Sequence, residues 1–154
     1  MKTAAVIPVK TFSNAKTRLQ LPVEKIEELC KIMLEEILQV LSISPKIEKI
    51  IIVTKEKKAI EIAKKFNAVV IIDEKEEGVN QAVSLAEEYL LENNFVASMV
   101  FPQDIPGIKT QDIDFMLNYK TYPNFVIIVP SRKFDGTNAL VRMPVDLMET
   151  HYDN

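Results

Sequence analysis

Short apolar runs and helix-period segments alternate along the chain, and this alternation restricts the fold more than any other feature. The runs Ala4–Ile7, Ile47–Thr54, Ala68–Ile72, Phe95–Phe101 and Phe125–Val129 are rich in β-branched and aromatic residues and read as buried strands. Between the first two, Ile26, Leu29, Cys30, Met33, Ile37, Val40 and Leu41 recur at helical spacing. Pro22 favours the first helical position there, and Pro45 marks the exit. Ala59, Ile62, Ala63 and Phe66 form the apolar face of a second helix, and Val79, Ala82, Val83, Ala86, Tyr89 and Leu90 that of a third. Thr110 is placed to cap a fourth helix carrying Ile113, Met116 and Leu117, and Asn138–Arg142 suits a further short strand. Strands alternating with helices predict a three-layer, Rossmann-like α/β fold: a mainly parallel sheet flanked by helices.

A chain of 154 residues suits one domain, and its 47% hydrophobic and 27% charged residues are ordinary for a globular protein. The net charge of −3 offers no broad basic field, so no nucleic-acid partner is expected. Cys30 is the single cysteine; it rules out an intrachain disulfide and falls on the apolar face of the first helix, where a core role is expected. No stretch has the pattern of a secretory leader, and no apolar run reaches the roughly 18 residues of a bilayer span, so the expectation is a cytoplasmic protein without a membrane partner.

Proline stops three of the five runs, at Pro8, Pro102 and Pro130. It cannot donate to a sheet ladder, so each marks the point where a strand gives way to a loop. The loop after the first run carries Lys10, Lys16 and Arg18 and no acidic residue. Open α/β sheets bind ligands beyond the carboxyl ends of their strands. Arg grips phosphate through two parallel hydrogen bonds and Lys supplies a mobile point charge. The loop therefore suits phosphate groups, and equally a solvated basic surface. The glycines Gly78, Gly107 and Gly136 all fall in candidate site loops.

The run Ile7-Pro-Val-Lys-Thr-Phe-Ser-Asn-Ala-Lys-Thr-Arg-Leu19 fits the pattern I-P-V-K-x(5)-A-K-x-R-L. It resembles the opening of the 2-phospho-L-lactate guanylyltransferase family, archaeal relatives of the molybdenum-cofactor and sugar-phosphate nucleotidyltransferases. The resemblance implies a nucleotidyltransferase fold, with Pro8, Lys10, Lys16 and Arg18 at the donor nucleotide and Lys10, Lys16 and Arg18 as the catalytic cations.

Three further stretches extend it. Pro102-Gln-Asp-Ile-Pro106 follows the fourth run, and an aspartate there is placed to hold magnesium or simply to form a turn. By resemblance Asp104 is the metal ligand and magnesium the cofactor. Gly78-Val-Asn-Gln-Ala82 opens the third helix, where free N–H groups suit anions or polar base edges as well as plain capping. The family's similar run assigns Asn80 and Gln81 to the base. Asp135-Gly-Thr-Asn-Ala-Leu140 is similar to the family's G-G-T-N-A-L, with Asp135 in place of the first glycine. It places Gly136, Thr137 and Asn138 at the acceptor.

His151 is the sole histidine, so neither a Cys/His metal cluster nor a Ser/His/Asp triad is expected. Neither GxxxxGK[ST] nor GxGxxG occurs, which leaves the cationic loop to bind phosphate. The family's C-terminal part, including a later G-x-G-S-F loop and a second metal-binding aspartate, is expected to lie beyond Asn154. The implied activity is transfer of GMP from GTP to 2-phospho-L-lactate, with release of pyrophosphate, in the biosynthesis of a deazaflavin coenzyme. The alternatives are a related transferase acting on phosphoenolpyruvate or a sugar phosphate, and a nucleotide-binding or dimerisation domain without turnover. The implied partners are GTP and a small phosphorylated acid; the sequence leaves the oligomeric state open, a homodimer included.

Overall fold

The computed structural model describes all residues except 1, 16–19, 106, 119–123, 131–136, 147, 148, 151, 153 and 154. Chain order gives β1 (Thr3–Pro8), α1 (Val23–Ser42), β2 (Lys49–Thr54), α2 (Lys57–Lys65), β3 (Val69–Ile72), α3 (Val79–Glu92), β4 (Ala97–Val100), α4 (Thr110–Asn118), β5 (Phe125–Pro130) and β6 (Thr137–Met143), with a 3-10 turn at Phe12–Asn14. The strands form one six-stranded sheet in the order β3-β2-β1-β4-β6-β5. β1, β2, β3 and β4 are parallel, and β6 is antiparallel to both β4 and β5.

Period-2 alternation divides the core between the two faces. Ala5, Ile7, Ile50, Ile52, Met99 and Val141 point to the face covered by α1, α2 and α4, where Leu34, Leu38, Ile62 and Ile113 are buried against them. Ala4, Val6, Ile51, Val53, Val100 and Leu140 point to the other face, beneath Ala82, Val83, Ala86 and Leu90 of α3. The central strands are apolar on both sides because both sides are covered.

The sheet differs from the expected series of strands in two places. β6 is longer than the expected 138–142, and it lies between β4 and β5, so β5 forms the edge opposite β3 and Ile128 is 55% exposed. The connection of residues 131–136 is too short for a crossover, which takes a dozen or more residues, so β5 and β6 must pair antiparallel. The helix boundaries shift slightly. Pro22 is the N-cap of α1 rather than its first residue. Thr110 is the first residue of α4, and the start is closed by Asp112, whose Oδ2 accepts from Lys109 N–H at 2.8 Å. α1 turns Leu34 and Leu38 fully inward, whereas Leu29, Met33 and Val40 are only half-buried. No helix among the described residues is long and apolar enough to cross a membrane.

Candidate active site

The strand order reverses between β1 and β4. From β1 the chain builds outward through β2 to β3, then returns through α3 to place β4 on the other side of β1. Carboxyl ends of parallel strands diverge at such a point and leave a crevice. Pro8 ends β1 there, and Lys10 follows as an exposed residue of the loop. Lys10 N–H donates to Gln103 Oε1 at 2.7 Å, tying the loop after β1 to the turn after β4. Asp104 is the next residue of that turn and is exposed. Gln103 Nε2 also reaches Cys30 Sγ at 4.0 Å, so the buried cysteine lies under this turn as part of the α1 face.

Antiparallel β6 brings the acceptor candidates to the same end. Leu140 pairs with Val100, so Thr137 and Asn138 lie on β6 just beyond the end of β4. Thr137 is half-buried and Asn138 exposed. Lys16, Arg18 and Gly136 lie outside the described residues.

Asn80 and Gln81 stand in the first turn of α3. Gln81 is exposed. Asn80 is engaged: its Nδ2 donates to Tyr152 O at 2.9 Å, and its Oδ1 accepts from Tyr152 N–H at 2.8 Å. The side-chain amide thus pairs with both backbone groups of one residue, as a neighbouring strand would. Burial pushes the Tyr152 phenol up from its ordinary pKa, and the Arg142 guanidinium pulls against that shift, so the ring stays neutral near pH 7. Gly78 caps α3 at φ +121 and ψ 178, a conformation open essentially to glycine alone. A Cβ there meets nothing within 4 Å, so Gly78→Ala is expected to cost about 1–2 kcal/mol through backbone strain rather than a clash, read as a lower urea midpoint.

The loop after β1 has no acid in its own sequence, yet two carboxylates reach it. Phe12 N–H donates to Glu56 Oε1 at 3.0 Å, and Thr11 N–H to Glu76 Oε1. Lys55 Nζ lies 3.7 Å from Glu76 Oε2. Glu56, Glu76 and Gln103 escaped the sequence reading. The available signal was position: each follows closely on the end of a parallel strand whose neighbours meet at the crevice.

A family profile described as "Guanylyl transferase CofC like" matches residues 3–154. The chain is 30% identical over 155 residues to a phosphoenolpyruvate guanylyltransferase of Conexibacter woesei, covering 99% of this chain and 70% of that protein. It is 31% identical over 157 residues to a 2-phospho-L-lactate guanylyltransferase of Methanobrevibacter ruminantium, covering 94% of this chain and 65% of the relative. The matching enzyme of Methanocaldococcus jannaschii is 30% identical over 155 residues, again with 65% of its length spanned. The relatives thus include bacterial as well as archaeal proteins, and the chain spans about two thirds of their length. Among solved structures, a candidate nucleotide-diphospho-sugar transferase from Desulfovibrio desulfuricans G20 superposes with a TM-score of 0.73 at 14% identity, covering 96% of this chain and 66% of that one. A CMP:2-keto-3-deoxy-manno-octonic acid synthetase complexed with CTP gives 0.63 at 11% identity, covering 96% and 76%. These two carry the fold alone: a nucleotidyltransferase-type α/β sheet.

Proposed function

Since the chain belongs to the CofC-like guanylyl transferase family, we propose that it transfers GMP from GTP to a small phosphorylated acid, 2-phospho-L-lactate first among the candidates, with release of pyrophosphate. The observation that carries this reading is the junction at the crevice, where the Lys10 N–H bond to Gln103 draws the cationic loop and the Asp104 turn together. The product, lactyl diphosphoguanosine, would feed the assembly of a deazaflavin coenzyme.

An oxygen of the acceptor phosphate attacks the α-phosphorus of GTP in line. The new P–O–P linkage forms as the bond to the β-phosphate breaks. A phosphomonoester has its second pKa near 6, so the attacking oxygen is already anionic at neutral pH and needs no strong base. Positioning and charge stabilisation then supply the catalysis. Lys10, Lys16 and Arg18 hold the triphosphate. Gln81 and the first turn of α3 meet the base, and Asn80 joins them once its pairing with Tyr152 opens. Gly136, Thr137 and Asn138 receive the acceptor. Asp104 offers one exposed carboxylate, which suits a magnesium ion completed by phosphate oxygens and water. The ion would neutralise charge on the departing pyrophosphate.

The test is pyrophosphate release from GTP and magnesium with a panel of 2-phospho-L-lactate, phosphoenolpyruvate and sugar phosphates. Turnover with 2-phospho-L-lactate supports the proposal, and silence with every acceptor rejects it. The second reading, phosphoenolpyruvate as acceptor, is favoured by the Conexibacter woesei relative. Lys16→Ala and Arg18→Ala are each expected to weaken GTP binding about tenfold, the lower end for a lost charged hydrogen bond. Calorimetric titration checks this, and unchanged affinity in both removes the loop from the site.

A further inference from the structure

Three successive backbone N–H groups of the loop after β1 are held by three other connections. Lys10 donates to Gln103 after β4, Thr11 to Glu76 after β3, and Phe12 to Glu56 after β2. Glu76 holds its residue twice, because Thr11 Oγ1 also donates to Glu76 Oε2 at 3.2 Å. The Glu76 side chain is only 19% exposed, and its backbone sits at φ +48, in the left-handed region that glutamate seldom adopts. The strained turn is fastened from below: Glu76 N–H donates to Oδ1 of Asp73 at 3.2 Å, and Asp73 is buried at the end of β3. Strain of this kind persists only where the surroundings over-determine it. Here it delivers one carboxylate onto Thr11.

We propose that Glu76 is a positioning residue for guanylyl transfer: its carboxylate clamps Thr11 and holds the cationic loop in the shape that receives the donor phosphates. This rests on the proposed function. The same side chain links that loop to the connection entering α3, so the phosphate and base ends of the nucleotide site are held in register. The opposite role is also chemically sound. A carboxylate standing on N–H groups beside a cationic loop is able to compete with phosphate and has to leave when the donor binds. The two roles predict opposite signs.

Glu76→Ala and Glu76→Gln in the full chain separate them, with amide hydrogen exchange at Thr11 and Phe12, GTP affinity by calorimetry, KM and kcat, and a thermal melt. For Glu76→Ala, Thr11 exchange is expected to quicken at least about tenfold and the KM for GTP to rise about tenfold, with kcat within about twofold. Glu76→Gln keeps an acceptor oxygen for Thr11 and should restore most of both. A lower KM in Glu76→Ala establishes competition and overturns the proposal. So does unchanged loop exchange, or a lowered melting temperature with KM unchanged. A wild-type chain that binds GTP but turns over no acceptor sinks the guanylyl-transfer reading alone. The clamp is then decided by exchange and GTP affinity, and either one unchanged in Glu76→Ala rejects it.

Discussion

Asp104→Asn is expected to lower magnesium-dependent guanylyl transfer about 100-fold, equivalent to roughly 2.7 kcal/mol of transition-state stabilisation, while leaving the melting temperature unchanged. Asp104 is exposed in the turn after β4, so its replacement disturbs no core packing. Asn and Asp make the same local turn bonds, and an aspartate that only shaped the turn would tolerate the exchange. The neutral amide is a poor ligand for a hard cation, so a role in holding magnesium shows as lost turnover on an intact fold. Turnover titrated against magnesium, alongside a melt, decides between them. Full activity at an unchanged magnesium requirement returns Asp104 to the turn.

Glu87→Ala should be the most destabilising of these substitutions, by about 3 kcal/mol. Arg142 occupies a core position of β6 on the α3 face and is 0% exposed. Its guanidinium Nη1 lies 2.5 Å from Glu87 Oε1 of α3, whose side chain is 21% exposed. Removing Glu87 takes an opposite charge away from a guanidinium that water cannot reach. At about 2–4 °C per kcal/mol for a chain of this size, the melting temperature should fall by about 6–12 °C. Arg142→Met removes the buried charge and keeps much of the volume, and the partly exposed Glu87 can rehydrate, so this variant should lose less. Urea titrations of both set the order. A Glu87→Ala shift within ±0.5 kcal/mol, typical of a surface site, would show that the pair does not hold α3 to the sheet.

Covering both faces of a sheet demands apolar residues on both sides of the central strands, and that demand is written locally. The runs around Val6, Ile51 and Met99, and the helical spacing of Ile26, Cys30 and Ile37, therefore identified the layers from the residues themselves. Proline's missing N–H likewise marked the ends of β1 and β5 at Pro8 and Pro130, and the family-like motif singled out Lys10 and Asp104. Strand order carries no local signal. That β6 runs antiparallel inside the sheet, with β5 outside it, follows from the short connection and from pairing across the chain. The partners of the cationic loop were equally hidden. Glu56 and Glu76 carry no mark of their role, because in sequence nothing separates a carboxylate facing water from one facing a backbone N–H 44 or 65 residues away. Arg142 read as the polar end of a short strand, yet the pleat turns it beneath α3, where Glu87 on a distant helix meets its guanidinium. Local propensity and period determined the elements of this chain. Its long-range polar contacts were decided by the folded arrangement alone, since each depends on two segments meeting.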